Sequence, residues 1–155
     1  MNVDFPRFNS YVNNIVTKIF NAFTDRNLEN IDHFIGDKLY KKIDELIQKN
    51  DSTLFDFNII DSYMINIKEK KHNIVIDYYI SINYKKRNEE DFKTIYDEYK
   101  LKFIKSKDTK IQNSSRKCPN CGSNMDINNS GKCEYCGSIY DLENYDFILV
   151  DYKKI

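Results

Sequence analysis

The chain contains four cysteines, and their spacing is the strongest constraint on what it can fold into. They form two C-x2-C pairs separated by eleven residues, namely Cys118 with Cys121 and Cys133 with Cys136. Two intervening residues let both sulfurs of a pair face one ion, and a glycine follows each second cysteine, where a tight turn needs it. The pairs repeat each other, because Cys-x-x-Cys-Gly-Ser occurs at 118–123 and again at 133–138. The sequence therefore predicts one Zn²⁺ bound by four thiolates.

The predicted zinc is expected to be structural. Four cysteines close the coordination sphere, whereas a catalytic zinc usually has three protein ligands and an open position. A zinc ribbon that also contacts nucleic acid or a protein is an alternative. Disulfides are a poorer alternative, since the two-residue spacing favours metal and a reducing compartment.

Composition limits the protein to one domain, or one domain with a small module. The chain has 155 residues, of which 41% are hydrophobic and 14% aromatic, enough for a folded core. The formal net charge is zero, from 24 basic and 24 acidic side chains, so nucleic acid is an improbable partner. The sequence shows no apolar run of membrane-spanning length and no signal-peptide pattern. We therefore expect a cytoplasmic protein, with the inner face of the membrane as a further candidate location.

Hydrophobic periodicity predicts three helices at the start of the chain. Apolar residues three and four apart form one face from 5 to 23. A second, short apolar face covers 28–35 and ends at Gly36, and a third helix is expected with Asp37 as its N-cap and an end near Asn50. Alternatively, the second and third segments form one kinked helix.

The second half of the chain changes to a period of two, which is typical of strands. Isoleucine and tyrosine alternate from Ile74 to Tyr84 without interruption. Further strands are predicted at 57–67, with an irregularity near 60–61, at 95–103 and at 145–152. These elements predict a single cone-like α+β domain over 1–155, in which N-terminal helices pack on a curved antiparallel sheet. The zinc ribbon, at 115–142, is an insertion between the last two strands.

Several segments of the chain resemble a known family. FNAF at 20–23, LENI at 28–31 and GDKLY at 36–40 are similar to the C-terminal domain of the matrix-side tether subunit of the mitochondrial inner-membrane protein translocase. That domain belongs to the nuclear transport factor 2-like superfamily. The cysteine segment at 118–138 and YDFIL at 145–149 look like bacterial relatives that carry a zinc ribbon. The resemblance implies a binding domain associated with membranes and protein partners, with a pocket between sheet and helices and no established chemistry.

Three aspartates and two histidines are the candidates for acid–base chemistry in such a pocket. They are Asp61, Asp77, Asp97, His33 and His72. We expect the aspartates to point to solvent from the half-polar face of the sheet, and the histidines to lie at the surface. No phosphate loop, nucleophile elbow or metal-hydrolase motif accompanies them. The sequence therefore predicts no catalytic residues and no enzymatic activity.

Tyrosines and lysines offer two further kinds of contact. The predicted sheet is rich in tyrosine, and we expect these side chains mainly to pack across strands, with the lining of a pocket as the alternative. The tyrosines are Tyr78, Tyr79, Tyr84, Tyr96 and Tyr99. Lysine clusters near loop ends, at 68–71, 85–87 and 100–110, form a solvated rim that could meet anionic lipid headgroups.

Together these features predict a non-catalytic binding module with one structural Zn²⁺, linked to protein transport. Its expected partner is a protein or an anionic membrane surface. The alternatives are a small-molecule enzyme or ligand binder that uses the cone pocket, and a nucleic-acid-binding zinc ribbon. An open cavity with a buried carboxylate would favour the enzyme, whereas a cavity filled by side chains would favour the interaction module.

Overall fold

Two helices and six strands make up the part of the chain that the structure, a computed structural model, describes. The described residues are 5–28, 31, 33–107, 115–117, 124–126 and 147–155. The helices are α1 (Phe5–Asp25) and α2 (Asp37–Lys49). The strands are β1 (Thr53–Glu69), β2 (Asn73–Arg87), β3 (Phe92–Ser106), β4 (Ser115–Lys117), β5 (Asn124–Asp126) and β6 (Ile148–Lys154).

Helix α1 begins at the predicted residue and ends two residues later than predicted. Its apolar stripe is buried, and Phe8, Val12 and Ile15 are all 0% exposed. The helix stops where Arg26 enters the left-handed region with a φ of 56°. The amide of Asn27 then donates to the carbonyl of Ala22 over 3.1 Å and closes the last turn.

The second predicted helix is wrong, and so is the alternative of one kinked helix. Among the described residues between α1 and α2, the chain forms turns and a single parallel bridge between Ile35 and Leu149. The amide of Gly36 donates to the Leu149 carbonyl over 2.8 Å, and the amide of Leu149 donates to Phe34 over 2.9 Å. Backbone groups that a helix would use internally are therefore bonded to β6. The apolar pattern reflects burial of Ile31 and Phe34 in the core instead.

Helix α2 follows directly and matches the third predicted helix. Its N-cap is Gly36, without a side-chain cap bond, and Asp37 is the first helical residue. A carboxylate in the first turn still complements the helix dipole. Leu39, Ile43 and Ile47 are its buried residues.

A four-stranded antiparallel sheet lies beneath the helices, in the order β1-β2-β3-β6. The alternation from Ile74 to Tyr84 is confirmed as β2, the second strand of this sheet. Strand β1 is a sheet edge with three register shifts, and one of them, between Ile59 and Asp61, confirms the predicted irregularity. Such bulges bend and twist an edge strand.

The helices cover one face of this sheet and form the core with it. The ring of Phe8 packs edge to face against Phe103 and Phe147, with centroids 5.6 Å and 5.4 Å apart. The hydroxyl of Tyr11 donates to the carbonyl of Phe147 over 2.7 Å. Removing a ring as buried as Phe8 would cost about 3–5 kcal/mol of stability. The α+β class, with helices on an antiparallel sheet, is thus confirmed.

The cysteine segment belongs to the connection between β3 and β6, which are neighbours in the sheet. Within this connection, β4 pairs antiparallel with β5, and the last pair joins Lys117 to Asn124. The four cysteines themselves lie outside the described residues. Where the connection leaves the sheet, the amide of Lys107 donates to the carbonyl of His72 over 2.9 Å. None of the helices in the described ranges has the length and apolarity needed to span a bilayer.

Candidate ligand cavity

A cavity of about 460 Å³ lies between the two helices and the covered face of the sheet. This volume falls in the range of small-molecule sites. Its walls are mostly aliphatic and aromatic side chains, among them Val16, Ile19 and Phe23 of α1, Ile43 of α2, and Ile80 and Ile82 of β2. The helices therefore do not fill the space above this end of the sheet, and the core continues into an apolar recess.

Two tyrosines in the wall of the cavity are hydrogen-bonded to a buried aspartate that lies behind them. Tyr84 and Tyr99 line the cavity, and both hydroxyls donate to Oδ2 of Asp97, over 3.3 Å and 3.1 Å. The ring of Tyr99 also packs edge to face on that of Tyr152, with centroids 5.6 Å apart. The three rings thus form an aromatic corner with one carboxylate behind it.

The expectation that Asp97 points to solvent is wrong. Asp97 is only 6% exposed, because its partner across the sheet is Ile82, which faces the helices. The sequence indicated this burial, because Asp97 is an even number of residues from the buried Leu101 and Phe103 and so lies on the same face of β3. Its charge is compensated by Lys154, whose Nζ lies 3.1 Å from Oδ1.

Burial keeps these tyrosines protonated over a wide pH range. It raises the pKa of Tyr84 to about 12, with smaller contributions from the charge of Asp97 and the hydrogen bond to it. Burial, followed by the charge of Asp97, also raises the pKa of Tyr99. Both residues are therefore hydroxyl donors, not phenolates, at neutral pH.

Polar side chains border the cavity at its exposed end. Lys49 and Asp51 are exposed, and Asn50 and Lys86 are half-buried. The Asn50 carboxamide is engaged with the backbone of Ser52 in both directions, over 3.0 Å and 3.2 Å. The entrance therefore carries two cations and one anion close to solvent.

The other acid–base candidates lie away from this cavity. Asp61 is exposed, as expected, and so are His33 and His72. The expectation is wrong for Asp77, which is 7% exposed although it lies on the uncovered face of central strand β2. Its Oδ1 and that of its cross-strand neighbour Asn66 have no hydrogen-bond partner among the described residues.

The tyrosines of the sheet divide into two groups. Tyr78 is buried in the core at 3% exposure, and Tyr84 and Tyr99 line the cavity, so both proposed roles occur. Tyr79 stacks on Tyr63 with centroids 4.7 Å apart, on the uncovered face. On the same face, Tyr96 is 70% exposed.

The structure describes most of the predicted lysine clusters but none of the predicted metal ligands. All four cysteines fall outside the described residues, and the described residues contain no group of three or more potential metal ligands. Lys68, Lys70 and Lys71 are exposed around the turn between β1 and β2.

Comparison with known proteins finds a likeness of fold. No protein-family model and no curated sequence matches this chain. Among solved structures, the chain is similar to the intermembrane space region of the chloroplast protein ARC6, with a TM-score of 0.51 and 6% sequence identity. The alignment covers 100% of this chain and 98% of that chain. At this identity the likeness supports the α+β arrangement alone.

Proposed function

We propose that this protein is a non-catalytic binding module whose cavity holds a mainly apolar small molecule. The observation that carries the proposal is the apolar recess of about 460 Å³ with a few convergent polar groups in its wall. The open cavity favours a small-molecule site over an interaction module whose cavity is filled by side chains, whereas the buried carboxylate of Asp97 by itself would favour an enzyme. The ligand would be held chiefly by contact with the side chains of α1, α2 and β2.

The surroundings of Asp97 favour binding over catalysis. A general base needs a lone pair that can reach the proton of a substrate. The carboxylate of Asp97 already accepts from Tyr84 and Tyr99 and pairs with Lys154. Its role in this proposal is to hold the two tyrosines in place.

Filling the cavity tests this proposal directly. Val16 of α1 lines the cavity. In Val16→Phe, a phenyl ring would replace the smaller isopropyl group and occupy part of the space. We expect the affinity for N-phenylnaphthylamine, a neutral apolar probe whose fluorescence rises on binding, to fall at least about tenfold, which is about 1.4 kcal/mol. Ile60→Phe is the matched control, because Ile60 is 55% exposed on the edge strand β1 and does not line the cavity. Probe binding that Val16→Phe leaves unchanged would contradict the proposal.

The second part of the proposal is a structural Zn²⁺ held by Cys118, Cys121, Cys133 and Cys136. The donor set suits zinc, because four thiolates satisfy its tetrahedral preference. The pairing of β4 with β5 supports it, since the two strands directly precede and follow the segment that contains the first cysteine pair. When bound, the ion would stabilise a connection too short to bury a core of its own.

A second candidate function is contact with an anionic membrane surface. The observation that favours it is the exposure of Lys68, Lys70 and Lys71 at one turn. Nearby Glu69 is paired with Lys107, with Oε1 and Nζ 2.7 Å apart, so its charge offsets that of the cluster only in part. Each such lysine contributes about 1 kcal/mol near an anionic surface.

A further inference from the structure

The two tyrosines in the cavity wall have already used their only hydrogen-bond donors. A phenol has one O–H donor and lone pairs that accept. Both Tyr84 and Tyr99 donate that proton to the same oxygen of Asp97, over 3.3 Å and 3.1 Å. The side chain of Asp97 is only 5% exposed and is paired with Lys154. The carboxylate therefore stays in position to accept both hydrogen bonds. The phenolic oxygens can then offer only lone pairs to another molecule.

Because the phenolic oxygens of Tyr84 and Tyr99 can only accept hydrogen bonds, they determine which ligand head group can bind beside them. A hydroxyl or amine can donate a hydrogen bond to either phenolic oxygen. A carboxylate would face lone pairs and the nearby negative charge of Asp97, and would lose its hydration without gaining a donor. Leaving a buried polar group unpaired is the stronger source of discrimination between similar ligands.

We propose that the cavity selects ligands with an apolar body and a hydrogen-bond-donating head, an alcohol or an amine, over the corresponding carboxylates. Asp97 is the positioning residue for this selectivity, acting through Tyr84 and Tyr99. The inference rests on the proposed function of the cavity, and it adds the chemical class of the ligand.

The lysines at the entrance oppose this preference only weakly. Lys49 is exposed and Lys86 is half-buried, and the lining also includes the exposed Asp51, whose charge opposes theirs. Charges in contact with water are screened, so their attraction for an anion is small. The buried carboxylate and its two tyrosines therefore dominate the choice of head group.

A matched series of ligands tests the inference, with decanol, decylamine and decanoate measured by displacement of N-phenylnaphthylamine. In the unaltered protein, decanol and decylamine should bind at least about tenfold more tightly than decanoate. In Asp97→Asn the negative charge is lost. The remaining carbonyl oxygen should face Lys154, which places the amide nitrogen, a donor, at the position of Oδ2. The tyrosine protons are then free to bond a ligand, so the decanol-to-decanoate affinity ratio should fall about tenfold. A merely structural role for Asp97 would weaken all three ligands alike and overturn the inference.

A second variant keeps the test decisive if Asp97→Asn fails to fold. Tyr99→Phe removes one acceptor, so it should weaken decanol severalfold and leave decanoate unchanged, whereas Tyr96→Phe, on the uncovered face, should alter neither. Tighter binding of decanoate than of decanol to the unaltered protein would overturn the selectivity while leaving the cavity proposal standing. Failure of N-phenylnaphthylamine and all three ligands to bind would overturn both.

Discussion

At the scale of single residues, buried tyrosines of the sheet make the stability of the fold depend on pH. Burial raises the pKa of Tyr84 to about 12, and burial likewise raises the pKa of Tyr78 to about 12. An unfolded tyrosine titrates near its ordinary pKa of about 10. Between these values the unfolded chain releases protons that the folded chain retains. The associated stability is therefore fully present below about pH 10 and is lost as pH rises towards about 12.

This loss should be measurable for Tyr84 alone. Without the hydroxyl, Tyr84→Phe should lose stability less steeply than the unaltered protein across the alkaline range. Urea unfolding at successive pH values between about 9 and about 12 measures the slope. Tyr96→Phe is the control, since Tyr96 is 70% exposed. Equal slopes for Tyr84→Phe and the unaltered protein would show that the hydroxyl of Tyr84 titrates normally in the fold.

The burial of Asp97 was predictable in principle, and that of Asp77 was not. Parity along β3 places Asp97 with Leu101 and Phe103, on the face that the helices cover. Asp77 lies on the other face, together with Val75 and Ser81, and all three are buried. Both faces of β2 are thus buried around Asp77, so alternation along the strand could not reveal which of its aspartate or serine side chains is exposed.

At the scale of elements, alternation and periodicity correctly predicted the four strands of the main sheet and two of the three expected helices, but not β4 and β5. The strand from Ile74 was clear because one of its faces is almost uniformly apolar. The segment at 28–36 misled the prediction, because its apolar spacing has the helical period although its backbone bonds to Leu149. Those hydrogen bonds reach a strand more than a hundred residues away in sequence, so local periodicity could not reveal them.

The cysteine segment should be separable from the rest of the fold. We expect one zinc per chain in the purified protein, and its loss in Cys133→Ser, since three thiolates bind zinc less tightly. Helix content by circular dichroism should persist, because Phe8 of α1 packs on Phe103 and Phe147, and because β3 pairs with β6 through residues other than the cysteines. New protease cleavage should be confined to about 115–142.

Ser138→Ala is the control for this variant, because it changes a neighbouring residue that is not a predicted ligand. It should retain zinc and resist protease like the unaltered protein. Global unfolding of Cys133→Ser would show instead that the zinc segment is part of the core. Absence of metal together with two disulfides in the native protein would contradict the zinc site altogether.

At the scale of the whole molecule, the cavity depends on where two helices stop relative to the sheet. Ile80, Ile82 and Leu101 read as ordinary core residues in the sequence, and each of them lines the cavity. Whether such residues meet side chains or open space depends on the path between α1 and α2, which the bonds from Phe34 and Gly36 to β6 fix. A sequence pattern indicates that one face of a sheet is apolar, but it does not indicate the distance between that face and the helices packed on it.

Membrane association is also a property of the whole molecule, because the net charge is zero and only a local cluster could drive it. Attraction from Lys68, Lys70 and Lys71 is screened within about 8–10 Å at ordinary ionic strength. Binding to anionic liposomes should therefore be weak and vanish at high salt. Lys70→Gln with Lys71→Gln should weaken it by about fivefold per charge, whereas Lys38→Gln with Lys41→Gln, on exposed positions of α2, should not. Binding that resists salt, or none at low salt, would remove the lipid hypothesis and favour a protein partner.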